Sequence, residues 1–560
     1  MNTAISAPSP VRSFTSFLQR FYRKVLDTIT AVLQRKYAAA IVLCMLLIYV
    51  SIAGLERSSR KHFWYDEVCT IAVVTQGSVH AMWGALAHAA DTNPPGFYLI
   101  EGLFSQFSSD NHIGYRVPAL LGFLVVPVCL YLFVKRQAGI IAGLISATMT
   151  LVSPLLGIHS IEARPYGLLC GLIAIAMLVW QRAPSRAQGP LLAILFAGAT
   201  CLHYYAVLAF VPFIIAEAAR WLRLRKLRIG VWIALFCGFL PLAAFWPLLA
   251  GVKQVYGANF WAKPAVQVII YCYYYALSPR GGRWALPVIV VLLAVVLLGV
   301  AAHLRRPKRG SNSIGFPQEE AVLVLGFCCL PIIAYVFAML SHGGMAPRYV
   351  LPMVLGLCAL TGIMAARSDS RTATCVLIAI TSIAAVQEYR DWRADTRLSA
   401  MSSLPPEMRI FDNLVQDRDA SGLPVVVSNG LDYLPLAYYS LVHHTSSPMS
   451  IIDARQATAF IGTDSIDRAL SILRHYLPLR VQEFSNFAAL NHEFLLYSSG
   501  GSEWDWWPAR LKKDGYSLSL LKAEQGRKLF LVDQDRNNKT SIDQPFPKGR
   551  VSPAWTSSIR

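Results

Sequence analysis

Phe63-Trp64-Tyr65-Asp66-Glu67 sets two adjacent carboxylates behind three aromatic residues, shortly after the first apolar segment. One such acid can take the proton of an acceptor hydroxyl, and a second beside it can orient the first or hold a metal ion. A second cluster gathers His159, Glu162, Arg164 and Tyr166. There Glu162 is expected near the acid pair, and Arg164 or His159 near a phosphate. In the third, His342-Gly343-Gly344-Met345-Ala346-Pro347-Arg348-Tyr349, a guanidinium offers paired donors to phosphate oxygens. Arg116 carries the same expectation, and Asp91, Tyr166, His203 and Tyr349 are candidate contacts for an acceptor or a sugar. Asp66, Glu67 and Glu162 are therefore the candidate catalytic acids. Each cluster also has an ordinary alternative: surface charge for the acid pair, local neutralisation for Glu162 and Arg164, and interfacial snorkelling for Arg348.

Positioning these residues is a task for membrane helices. The 560 residues are 55% hydrophobic and 15% charged, against about 25% charged in an average soluble domain. Apolar segments at 37–55, 115–134, 139–157, 166–180, 190–202, 204–219, 229–249, 285–303, 320–340, 348–366 and 372–386 predict about eleven transmembrane helices. Residues 13–36 read as an amphipathic helix on a membrane surface, with residues 1–36 forming a cytoplasmic N-terminal segment. The basic runs at Lys135-Arg136, Arg182 and Arg186, 220–228, 305–309, and Arg367 with Arg371 fall in alternate loops. By the positive-inside rule those loops and the N-terminus are cytoplasmic. Loops 56–114, 158–165, the neighbourhood of His203, 250–284, 341–347 and everything after 386 then face outward, and all three clusters lie on that side. The tyrosines at 271 and 273–275 are expected to belong to an interfacial aromatic belt.

The net charge of +19 resides largely in those short runs, which argues against a nucleic-acid partner. The eleven cysteines fall almost entirely within apolar runs and none lies beyond Cys375, so no disulfide framework is expected. After residue 386 the composition changes. Strands are predicted around 423–427, 449–452, 494–497 and 529–532, with helices at 433–442 and 464–477, which make residues 387–560 a small extracytoplasmic α/β domain. On an outer face without nucleotide sugars, a sugar donor must arrive on a lipid, typically a polyprenyl phosphate. A base, cations for the departing phosphate and an apolar groove for the lipid tail would serve such a transfer. A transporter or flippase of lipid-linked sugars is the alternative, although acids gathered in outer loops and the absence of repeats count against it.

Several stretches resemble bacterial GT-C glycosyltransferases of the protein O-mannosyltransferase and aminoarabinose transferase superfamily. They are Trp64-Tyr65-Asp66-Glu67, Asp91-Thr92-Asn93-Pro94-Pro95-Gly96-Phe97-Tyr98, Arg116-Val117-Pro118-Ala119-Leu120, Glu162-Ala163-Arg164-Pro165-Tyr166-Gly167-Leu168 and Pro347-Arg348-Tyr349. The resemblance implies a mainly α, polytopic GT-C-type catalytic domain over residues 37–386. It implies inverting sugar transfer from a polyprenyl-phosphate donor at the bacterial inner membrane, with Asp66 as base and Glu162 in the same site. It also raises a divalent metal (Mg, Mn or Zn) as a candidate cofactor held by Asp66 and Glu162. Many relatives carry His where this chain has Asn93, which counts against a His-dependent metal site.

Overall fold

The computed structural model describes residues 10–108, 111–182, 184–257, 259–277, 317–399, 406–416, 422–443 and 448–534. The chain is a mainly helical polytopic membrane protein with a small C-terminal sheet region. Among the described residues four helices are long and apolar enough to cross a membrane: Lys36–Arg60, Val117–Ala138, Tyr204–Leu224 (its first turns 3-10) and Ser370–Arg390. Two pairs, Ile229–Ala244 with Trp246–Tyr256 and Gln318–Cys328 with Leu330–Ser341, each bend by 59° at a short break. Pro follows each break, at Pro247 and Pro331, where its missing N–H is tolerated in a first turn. Shorter apolar helices fill most of the other predicted segments. The segment predicted at 285–303 lies outside the described residues. Ser370–Ser399 runs unbroken through position 386, where the composition changes. The tyrosine cluster lies on a helix, Val266–Leu277, which twelve residues flanked by loop made hard to foresee.

Lys36–Arg60 turns exposed Ile41, Met45, Ile48 and Ile52 outward at helical spacing, as a lipid-facing stripe does. Behind it the bundle core joins Phe123, Phe133, Trp180, Phe196 and Phe213. Val117–Ala138 and Tyr166–Gln181 cross at almost bare backbone. A Cβ on Gly122 would stand 2.4 Å from Gly167 O and from Leu168 Cα. Small residues permit such approach between membrane helices. This crossing brings together the two helix starts beside Arg116 and Arg164. Gly122→Val is therefore expected to destabilise the bundle by about 3 kcal/mol. Size-exclusion profiles of detergent extracts would check this, and a wild-type profile would refute it.

The predicted loop alternation has a structural counterpart. Helix ends carrying the basic runs are tied to one another: Arg136 donates to Gln181 O at 2.8 Å, Gln181 to Glu320 at 2.8 Å, and Arg223 to Glu319 at 2.7 Å. The N-terminal helix Pro10–Leu33 docks beside the start of Ser370–Ser399 through Asp27 and Arg371 (2.5 Å) and through Thr30 and Thr374 (2.8 Å). The loops of the other set converge on one another at the site described below.

In the C-terminal region, β1 (Val425–Val427) pairs parallel with β4 (Glu493–Ser498), which pairs antiparallel with β6 (Arg527–Gln534), itself antiparallel to β5 (Tyr516–Glu524). A second sheet joins β2 (Ser450–Ile452) and β3 (Val481–Glu483) in parallel. The predicted strands and helices all form. Sequence reading missed β3, which is only three residues long, and β5, an edge strand with little buried surface. One continuous core links this region to the first long loop: Val68, Phe97 and Tyr98 share it with Phe411, Tyr433, Leu434 and Leu470. The helix Gly430–His443 packs on Tyr65–Val74.

Burial, with Asp453, Asp464 and Glu483 nearby, pushes the Asp467 carboxyl up to about 7 despite a hydrogen bond from the Asp453 N–H. Unfolded aspartate titrates near 3.9. The protonated form is thus favoured by folding, and the stability it lends is complete below that value and lost as pH rises through about 7. Asp467→Asn is expected to gain in melting temperature over wild type as pH rises from about 5 to about 8. Parallel melting curves across that range would count against this account.

Candidate active site

Asp66 and Glu67 lie in the first turn of Tyr65–Val74, so successive side chains diverge by about 100° around the helix. That rotation separates their fates. Glu67 turns inward and is fully buried. Its oxygens accept from Arg116 Nε and Nη2, both at 2.8 Å, from Ala163 N at 2.8 Å and from Trp64 N at 3.2 Å. Arg116 spends its remaining donors on the carbonyls of Ser58 (2.7 Å), Lys61 and His62 (3.1 Å). All five guanidinium N–H groups are occupied. Arg116, expected at a phosphate, is instead a pin that ties the end of Lys36–Arg60, the acid pair and the 160–165 loop together.

Asp66 stays partly exposed. Its Oδ2 stands 3.0 Å from Arg348 Nη2, with side-chain exposures of 16% and 15%. Among the described residues neither Asp66 Oδ2 nor Arg348 Nε has an aligned hydrogen bond. Three rings surround the guanidinium: its carbon lies 5.1 Å from the centre of Trp261, 5.6 Å from Trp64 and 5.9 Å from Tyr349. Beyond them Tyr349 and Tyr205 pack at 4.9 Å, Tyr349 and His203 at 5.5 Å, Tyr166 and His203 at 5.4 Å, and His159 and Tyr166 at 4.9 Å. Burial, with Arg164 and Arg348 nearby, pushes His203 down to about 3, so its imidazole is neutral. Its Nδ1 accepts from Tyr205 N at 3.1 Å.

Arg164 and Asp91, expected at phosphate and sugar, face each other at 2.6 Å, and both are buried. Arg164 also donates to Asp66 O at 3.2 Å and Thr70 Oγ1 at 3.1 Å, which fixes the Asp66 backbone. Glu162 is buried between Lys61 Nζ at 3.1 Å and His159 Nδ1 at 2.6 Å. Burial raises its carboxyl, but Lys61 and His159 outweigh this and hold it well below the usual range. Tyr166, His203 and Tyr349 thus lie around Arg348, whereas Glu67, Arg116, Asp91 and Arg164 form the frame.

Three contributors were not singled out from sequence. Lys61 looked like one more basic flank, and Trp261 lay in an unremarkable loop. Tyr439 accepts from Phe63 N at 2.7 Å, across most of the chain. No local pattern marks any of these three. Glu101, an acid of the same outer loop, is fully buried with neither carboxylate oxygen hydrogen-bonded among the described residues, and burial together with Glu67 pushes its carboxyl well above the usual range.

The donor set does not fit a divalent cation. Asp66 faces Arg348, Glu162 is clamped by Lys61 and His159, and among the described residues no three His, Cys, Asp or Glu side chains converge. Cationic side chains occupy the places a metal would take beside both acids.

Residues 92–250, which include Arg116, His159, Glu162, Arg164, Tyr166 and His203, match the family model described as dolichyl-phosphate-mannose-protein mannosyltransferase. No curated protein sequence matches the chain. Among solved structures, ArnT from Cupriavidus metallidurans bound to undecaprenyl phosphate shares the fold with TM-score 0.50 and 12% identity, over 89% of this chain and 98% of that one. The apo form of that ArnT gives TM-score 0.38 and 14% identity, over 88% and 98%. The Archaeoglobus fulgidus oligosaccharyltransferase in complex with Zn and sulfate gives 0.41 and 11%, over 86% and 72%. The family match thus covers the segment that carries much of this site, and the chain shares its fold with ArnT over most of its length.

Proposed function

We propose that the protein moves a sugar from a polyprenyl-phosphate donor to an acceptor hydroxyl on the outer face of the bacterial inner membrane, with inversion. The observation that carries this reading is the Asp66–Arg348 pair. Of the predicted acids, Glu67, Asp91 and Glu162 are buried in pairings of their own, while Asp66 is partly open beside a partly open guanidinium. Asp66 accepts the acceptor's proton, and the hydroxyl oxygen attacks the anomeric carbon. The bond from that carbon to the phosphate oxygen breaks, and the polyprenyl phosphate leaves with the electron pair beside Arg348. Without substrate the two groups neutralise each other at 3.0 Å, so an entering phosphate takes the guanidinium and releases the carboxylate to act as base. The ArnT neighbour's bound undecaprenyl phosphate supports a lipid donor. Tyr166, His203 and Tyr349 are the contacts of the sugar in this reading.

In this reading residues 1–36 are cytoplasmic, residues 37–386 form the catalytic domain and residues 387–560 a periplasmic domain over the site. Support comes from the basic runs, which are tied together at helix ends, while the loops of the other set meet at the site. The purified protein, given polyprenyl-phosphate sugars and candidate acceptors, should release free polyprenyl phosphate and yield a product of inverted anomeric configuration by NMR. Movement of intact donor across vesicles without release would instead favour the flippase alternative.

A further inference from the structure

The segment 259–263 hangs between two bodies. On one side the C-terminal region holds it: Thr463 Oγ1 donates to Asn259 O at 2.6 Å, Trp261 N–H donates to Ser465 Oγ at 3.2 Å, and Lys263 Nζ donates to Gly462 O at 2.8 Å. On the other side it holds the loop leading into Arg348. Met345 N–H donates to Ala262 O at 2.8 Å, and a Cβ on Gly344 would stand 2.4 Å from the Phe260 ring. Between these attachments the Trp261 ring lies 5.1 Å from the Arg348 guanidinium carbon, nearer than Trp64 or Tyr349. Among the described residues Arg348 has one carboxylate partner and an Nε without a hydrogen bond, so its ion pair alone does not fix its fork. Ring faces supply the missing constraint, because a guanidinium over an indole is attracted to its π-density.

We infer that Trp261 is a positioning residue for Arg348, and that the Thr463–Ser465 turn sets Trp261, so the C-terminal region controls how well the site holds a lipid phosphate. This rests on the reading of Arg348 as the phosphate group's partner. A preorganised fork loses less freedom on binding than a mobile one. The effect belongs to donor binding rather than to the proton transfer at Asp66.

The test is titration of the full-length protein in detergent with undecaprenyl phosphate, alongside donor KM and kcat. Trp261→Ala is expected to weaken binding and raise KM by about tenfold, with kcat at saturating donor nearly unchanged. Trp261→Phe should recover most of the loss, and Ser465→Ala should weaken binding less but in the same direction. Arg348→Ala should lose most. If Trp261→Ala binds like wild type while Arg348→Ala does not, this inference fails and the function reading stands. If Arg348→Ala also binds normally, the reading of the site fails as well. Trp261→Phe as weak as Trp261→Ala would overturn the role of the ring. Ser465→Ala, distant from the reacting groups, keeps the test open should Trp261→Ala not fold, and wild-type binding there overturns the link to the C-terminal region.

Discussion

Asp66→Asn is expected to lower transfer by about a thousandfold while leaving the protein folded and its affinity for polyprenyl phosphate intact or higher. A positioned base contributes about 10²–10⁴ in rate, and the amide cannot accept the acceptor's proton. The fold should tolerate the change because the frame uses the Asp66 backbone, not its carboxylate: Arg164 and Thr70 both donate to Asp66 O, at 3.2 Å each. Affinity should hold or rise because the substitution removes the group that neutralises Arg348 in the empty site. Single-turnover transfer and equilibrium binding of undecaprenyl phosphate separate the two effects. Near-wild-type turnover would move the base elsewhere, with Glu162 the next acid to examine.

Substitution of the neighbouring acid should give the opposite phenotype. Glu67→Gln is expected to destabilise the protein by about 3–5 kcal/mol, since it leaves the buried Arg116 charge without its counter-ion. It also turns an amide donor toward groups that donate, namely Arg116 and the N–H groups of Ala163 and Trp64. Activity would fall with the folded fraction, not with the chemical step. Thermal unfolding in detergent and residual activity per folded molecule provide the measurement. A Glu67→Gln protein that melts like wild type yet cannot transfer sugar would show that Glu67 takes part in the chemistry.

These paired predictions mark what sequence reading could not reach. Two consecutive acids look alike along the chain, and only the helical turn, with Arg116 waiting on one side and Arg348 on the other, distinguishes them. The same holds for Arg164, whose residue type suits a phosphate but whose nearest group is Asp91. Charged side chains in a buried frame pair with whatever the packing brings, and that choice depends on helix crossings such as Gly122 against Gly167. Lys61, Trp261 and Tyr439 act through contacts with residues distant in the chain, so no spacing rule reveals them.

What the sequence determined by itself was everything that depends on local pattern and solvent. Apolar run length predicted nearly every helix of the bundle, alternating basic runs divided the loops into two sets, and the change after residue 386 marked an α/β region. Bilayer transfer energies act on segments and are nearly additive, so they are readable without a fold. Tertiary structure alone decided which acid stays partly open, which arginine faces it, and that the C-terminal region shares a core with the first loop and reaches Arg348 through Trp261. Those outcomes are set by pairwise burial and hydrogen-bond satisfaction between distant residues, which exist only once the helices have packed.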